Sequence, residues 1–324
     1  MPSDPGLAGD TCIFMEAIPG DGGNQNPNDV WWLSPDITLI GHVSGLENAD
    51  PGVNKISIRF HRKPAGTCTF PGDEGITVQA WVANPSLVMS PDVRGSAARV
   101  GFIGSPLPAE GSTHIQEIDW TPPAANLPTP FQIDSPQKPG PKCLVAICYP
   151  DSLVPGTKAF FVPADQHVAQ HNLCIIVTGD KTVKLEVNTF NPAKSSAPLI
   201  QPAKLQAVLD LAPSTFVKKM VLTRVSTLPG FHQLRTSGLP DGFAFDLTGL
   251  PASNIVDHSH AAGPFIPPHL PSYEASVQLP GTLTKFKFLA ALREAQPGDV
   301  CIFHLTQTFK DVPQGGLTLA VLKT

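Results

Sequence analysis

Charge is scarce in this chain. Only 15% of its 324 residues are Asp, Glu, Lys or Arg, where about a quarter is usual. The net charge is −5, which leaves no basic footprint for nucleic acid or anionic lipid. No apolar run approaches the ~18 residues of a membrane span. The opening Met1-Pro2-Ser3-Asp4-Pro5-Gly6 lacks a basic segment and an apolar core, so no signal peptide is read there. The expectation is a chain that is cytoplasmic or exported by a signal-independent route.

Several chemical motifs are absent too. No Cys-x-x-Cys occurs, which removes zinc ribbons and thioredoxin-type sites. No Gly-x-Ser-x-Gly elbow fixes a serine nucleophile. No glycine-rich loop joins a strand to a helix as a phosphate loop would, and no Asp-x-Asp-x-Asp calcium loop is present. These gaps name no cofactor and argue against an enzyme.

Proline and glycine are plentiful, at 36 and 27 residues, about a fifth of the chain against a usual eighth or so. That excludes helical bundles and coiled coils. Hydrophobic residues reach 41%, enough for packed cores and too many for disorder. Short β-prone runs separated by Pro/Gly turns fill both halves. Ile37-Thr-Leu-Ile-Gly-His-Val43 and Lys55-Ile-Ser-Ile-Arg-Phe60 alternate apolar with polar side chains, the period of half-buried strands.

Further strands are predicted near 11–16, 76–82, 98–103, 113–120, 142–149 and 171–178. In the second half they fall near 182–189, 204–211, 219–226, 243–247, 272–279, 283–290, 299–307 and 316–323. Gln314-Gly315-Gly316 reads as the last hairpin turn. Leu289–Ala295 is the one stretch with helical character. The expected fold class is all-β, two β-sandwiches with Pro/Gly-rich loops, divided into 1–179 and 180–324 at the polar turn Thr178-Gly179-Asp180-Lys181. All four Trp lie in the first half, so the halves are not a recent duplication.

The six cysteines are Cys12, Cys68, Cys143, Cys148, Cys174 and Cys301. Most sit in apolar runs, and the expectation is buried reduced thiols. Cys143 and Cys148 face opposite ways on one strand and cannot bridge. One inter-strand bridge, such as Cys148 with Cys174, is the alternative.

The order Trp31-Trp32-Leu33-Ser34-Pro35-Asp36-Ile37, then Trp81-Val82, Ile118-Asp119-Trp120, Cys143-Leu-Val-Ala-Ile-Cys-Tyr149 and Asp165-Gln-His-Val-Ala-Gln-His-Asn172 resembles a known family. It is similar to bacterial immunoglobulin-like domains of the cell-adhesion-related (CARDB-like) type, over residues 30–178. The second half is only generically immunoglobulin-like. The resemblance implies two immunoglobulin-like sandwiches, a scaffolding or binding role, and no catalytic residue.

Three groups of residues are candidate sites. Asp257, His258 and His260, with His269, form the densest polar cluster and the first place to look for a metal, since imidazoles beside a carboxylate make half a site. His167 and His171 would share a face on a helix, but lie about 13 Å apart in an extended strand. They are candidate ligand or partner contacts, as is the aromatic pair Trp31 and Trp32, which suits stacking on a sugar or a partner. The functional expectation is a non-catalytic structural or binding protein, acting through protein–protein contact or self-association. An accessory or substrate-recognition subunit of a separate enzyme is the alternative. A metal-dependent enzyme using the 257–269 cluster is the third.

Overall fold

A computed structural model describes residues 10–24, 30–42, 48–70, 72, 74–91, 93, 95–123, 139–153, 160, 162–190, 202–226, 228, 240–257, 272–278 and 283–324. The chain is all-β, with a single α-helix among the described residues. It divides into two compact units. The first comprises Met1–Asn84 and Met89–Asn172, the second Pro85–Val88 and Leu173–Thr324.

The first unit has two four-stranded antiparallel sheets. In one, β4 (Asn54–Arg62) is flanked on one side by β7 (Thr113–Trp120) and on the other by β1 (Ile13–Phe14) and β2 (Ile37–Ile40). In the other the order is β10 (Val168–His171), β9 (Cys143–Pro150), β5 (Ile76–Ala83) and β6 (Ala98–Ser105). A small ladder joins β3 (Asn48–Ala49) to β8 (Gly140–Pro141). Alternation decides which faces meet. Ile56, Ile58 and Phe60 from one sheet and Ile76, Val78, Ala80 and Val82 from the other are buried in one core, with Leu144, Ala146 and Cys148. Two sheets packed on a shared apolar layer make a sandwich.

The second unit pairs a six-stranded sheet with a three-stranded one. The larger runs β11 (Leu173–Thr178), β19 (Val312–Lys323), β18 (Val300–Phe309), β13 (Ala203–Leu209), β16 (Ser272–Val277) and β15 (Ile255–Asp257). The smaller runs β12 (Thr182–Thr189), β17 (Thr284–Ala291) and β14 (Gly242–Asp246). Phenylalanine fills the layer between them: Phe243 and Phe288 each meet Phe303 edge-on, and Phe245 meets Tyr273. Edge-to-face rings bury much area with favourable quadrupole contacts.

Several expectations are corrected. The stretch 219–226, predicted as a strand, lies in α1 (Thr215–Val225) apart from Ser226, its C-cap. Its buried side chains are Val217, Val221 and Val225, and the Ser214 hydroxyl caps its start by accepting the Val217 N–H at 3.2 Å. Residues four apart share a face on a helix and on a strand alike, so the valines alone do not decide between them; the Ser214 cap marks the helix. Leu289–Ala291, predicted helical, instead ends β17, because the strand's alternation continues through Phe286 and Phe288. The last hairpin turns at Lys310 and Asp311, both with positive φ, and Gly315-Gly316 lie inside β19. Gly315 is there for space: a Cβ would lie 1.9 Å from the Leu87 carbonyl oxygen. Residues 85–88 reach β12 of the second unit, Leu87 N–H donating to the Asn188 carbonyl at 2.9 Å.

The predicted strand 171–178 is β11, which pairs in parallel with β19 from Leu173 to Thr178, while His171 ends β10. Cys143, Cys148, Cys174 and Cys301 are buried thiols, as expected, but Cys12 and Cys68, expected to be thiols too, form a disulfide. Burial pushes the Cys148 thiol well up, and burial with Asp299 nearby pushes Cys301 up to about 12.

Candidate functional site

A polar network of the first unit gathers on the outer face of its first sheet. Because Ile56, Ile58 and Phe60 point inward, Arg59 and His61 stand on the opposite face of β4, two residues apart. Asp36 sits between them at the start of β2, its side chain 0% exposed. Its Oδ1 accepts from Arg59 Nε at 2.7 Å. Its Oδ2 accepts the Glu16 N–H at 2.6 Å and lies 3.0 Å from His61 Nε2. A buried carboxylate needs such partners to remain ionised.

His61 is fixed from its other sides as well. Its Nδ1 is 2.8 Å from the Thr113 hydroxyl, which lies directly opposite on β7. The Phe14 ring stacks on the imidazole at 5.0 Å with 21° between planes. The donor atoms of Glu16, Asp36 and His61 all fall within 4.8 Å of one another.

The second unit repeats part of this pattern. His304 Nε2 is 2.9 Å from Asp210 Oδ2 and its Nδ1 is 2.9 Å from the Thr318 hydroxyl. His304 and Thr318 are again opposite each other on paired strands. Burial works to raise the Asp210 pKa, but the His304 hydrogen bond and charge outweigh it and hold the group below its usual value.

The predicted residues scatter. His167 bridges two carboxylates, with Nε2 3.0 Å from Asp10 Oδ2 and Nδ1 2.8 Å from Asp165 Oδ1. Burial opposes its protonation, yet the hydrogen bonds to Asp10 and Asp165 prevail and raise its pKa to about 9. Being 2% exposed, it is an internal tie and not a contact surface. His171 is buried elsewhere and donates from Nδ1 to the Ser34 carbonyl at 2.9 Å. Trp31 and Trp32 are both buried, edge-on to each other at 5.8 Å, so neither offers a face for stacking. The chain turns there, and the strand alternation that would expose one of them does not apply. Asp257 ends β15 opposite Ser276. Its side chain, with His258, His260 and His269, lies outside the described residues.

None of Glu16, Asp36, Arg59, His61 and Thr113 is a candidate site residue in the sequence, although Asp36 lies in the Trp31–Ile37 motif and Arg59 in the alternating run to Phe60. Alternation along β4 places Arg59 and His61 on one face, but the register that adds Asp36 and Thr113 is a tertiary fact.

One further feature is exposed. β6 is an edge strand whose ladder, among the described residues, runs to β5 alone. Phe102 at its centre is 69% exposed, with the Arg99 guanidinium 5.5 Å from the ring centroid. Ile115 on β7 is also exposed.

Among the described residues no helix is long and apolar enough to cross a membrane. Set against known protein families and curated proteins, the chain matches no family model and no curated sequence.

Proposed function

We propose that this chain is a non-catalytic binding protein of two β-sandwiches that associates with further copies of itself through the edge of β6 that, among the described residues, pairs with no strand. The observation that carries this reading is the edge strand itself. Unpaired backbone donors and acceptors along an edge are a template for another strand, and soluble proteins usually blunt them with lysine, proline or inward charge. Ala98-Arg-Val-Gly-Phe-Ile-Gly-Ser105 contains no proline, lysine or acid. Its irregular pairing with β5 lies near Arg99, so Gly101–Ser105 remains regular.

A second copy is the occupant that fits. Antiparallel pairing over Gly101–Ser105 brings two Phe102 rings to one side of the joined sheet. It leaves each Arg99 outside the paired stretch, so like charges do not oppose. The immunoglobulin-like reading of the CARDB type, for residues 30–178, belongs to this proposal; the two facing antiparallel sheets of the first unit support it.

What supports the non-catalytic part is the character of the polar networks. Asp36–His61–Thr113 has the members of a nucleophile relay. Its histidine and threonine, however, are a directly opposed cross-strand pair, and the same pair recurs as His304 and Thr318, where the threonine is buried. In the second unit the repeated pair, its hydroxyl sealed from solvent, is a register tie. Comparing the solution mass of the wild-type chain with Gly104→Lys tests the reading, since a Cβ at Gly104 meets nothing within 4 Å.

A further inference from the structure

We propose that Glu16, Asp36 and His61 form a binding site for one divalent transition-metal ion of the zinc class. The three residues come from separate segments: the end of the β1 segment, the start of β2 and the outer face of β4. Their donor atoms nevertheless converge within 4.8 Å of one another. Two ligands each about 2.0–2.1 Å from a tetrahedral ion lie roughly 3.3 Å apart. The 3.0 Å between His61 Nε2 and Asp36 Oδ2 is close to that edge.

The outer partners suit a metal site. His61 Nδ1 lies 2.8 Å from the Thr113 hydroxyl; in the tautomer whose Nδ1–H donates to it, Nε2 presents its lone pair to the carboxylates. Metal-bound histidines are ordinarily oriented in this way by a hydrogen bond from the other nitrogen. The Phe14 ring holds the imidazole plane. Arg59 holds the other oxygen of Asp36, and Oδ2, which also accepts the Glu16 N–H, has a second lone pair for the ion. One imidazole and two carboxylates favour zinc over magnesium, which prefers oxygen ligands and retained water. Glu16 and His61 are half-buried, so an ion enters from solvent and water takes the fourth position.

The second unit supplies an internal control. Asp210 and His304 repeat the carboxylate–imidazole–threonine arrangement, but among the described residues no third ligating group joins them. That pair alone is not expected to hold an ion.

The test is zinc and cobalt(II) binding to the full chain after chelator treatment, followed by calorimetry and by the visible bands of bound cobalt. Magnesium serves as the comparison. Because His258, His260 and His269 also offer imidazoles, site-specific variants decide the outcome and total stoichiometry does not. Glu16→Gln keeps the backbone N–H bonded to Asp36 and should fold. It and His61→Gln should each lose one zinc equivalent or weaken it at least about tenfold, while His304→Gln leaves binding unchanged. Zinc binding that is absent from the wild type, or unaltered in both Glu16→Gln and His61→Gln, would overturn the proposal.

Discussion

The imidazole of His167 and the carboxylate of Asp10, 157 residues apart in the chain, meet at 3.0 Å with both side chains sealed from solvent. Asp165 holds the opposite nitrogen. The ring donates to both, so it is a buried imidazolium between two carboxylates, joining the start of the first unit to its last strand.

This tie makes stability depend on pH. The His167 pKa rises from 6.5 unfolded to about 9 folded. A raised folded pKa means the contribution is complete below about 6.5 and is lost as pH climbs through 9. Denaturant unfolding of the first unit should therefore weaken between pH 7 and 9.5, by about 3 kcal/mol at most. His167→Gln should be less stable at pH 7 and lack that slope. A wild-type curve that is flat over this window would refute the assignment.

Asp36 should be the costliest polar residue of the first unit to remove. Its carboxylate answers Arg59, His61 and the Glu16 N–H at once. Asp36→Ala is expected to lose about 3 kcal/mol, the scale for breaking a buried charged network. Thr113→Val, which removes one hydroxyl on an exposed strand, should lose less than about 1 kcal/mol. Equal losses in urea titrations would mean that Asp36 does not organise the network.

The disulfide between Cys12 and Cys68 closes a stretch with a sequence separation of 56. The chain-entropy relation gives about 4 kcal/mol for such a loop. The double variant Cys12→Ser with Cys68→Ser should lower the first unit's stability by that order and leave the second unit unchanged. The oxidised native chain should show no fast-reacting thiol toward Ellman's reagent, because buried thiols with raised pKa are inert. Rapid labelling of the native chain would contradict the pairing or the burial.

Gly315 tests the close approach inside the second unit. A methyl group there meets the Leu87 carbonyl at 1.9 Å, and backbone must move to relieve it. Gly315→Ala should cost about 1–3 kcal/mol, as overpacking does. Gly104→Ala, into open space, should stay within about 0.5 kcal/mol. A neutral Gly315→Ala in thermal unfolding would show that residues 85–88 do not press on β19.

Strands were legible wherever one face is buried, because alternation in stretches such as Lys55–Phe60 or Val183–Val187 survives any tertiary arrangement. It failed at Thr215–Val225, where valines spaced by four sit among β-branched neighbours and propensity pointed the wrong way. Gly315-Gly316 looked like a turn because two glycines usually punctuate, yet their purpose was contact with another segment. The disulfide was hidden because Cys68 lies in an irregular stretch with no period to place it beside Cys12. The polar site was illegible for a related reason: Glu16, Asp36, His61 and Thr113 are separated in sequence, and only strand register gathers them. Trp31 and Trp32 drew attention as large aromatics, but composition does not reveal burial.

Association of copies through β6 is read from the mass of the native particle by light scattering across a concentration series. A particle larger than the 34.4 kDa chain is expected, reduced to the single chain by Gly104→Lys and by Phe102→Lys, both folded by circular dichroism. A wild-type chain that stays at 34.4 kDa throughout, or a larger particle indifferent to both substitutions, would contradict it.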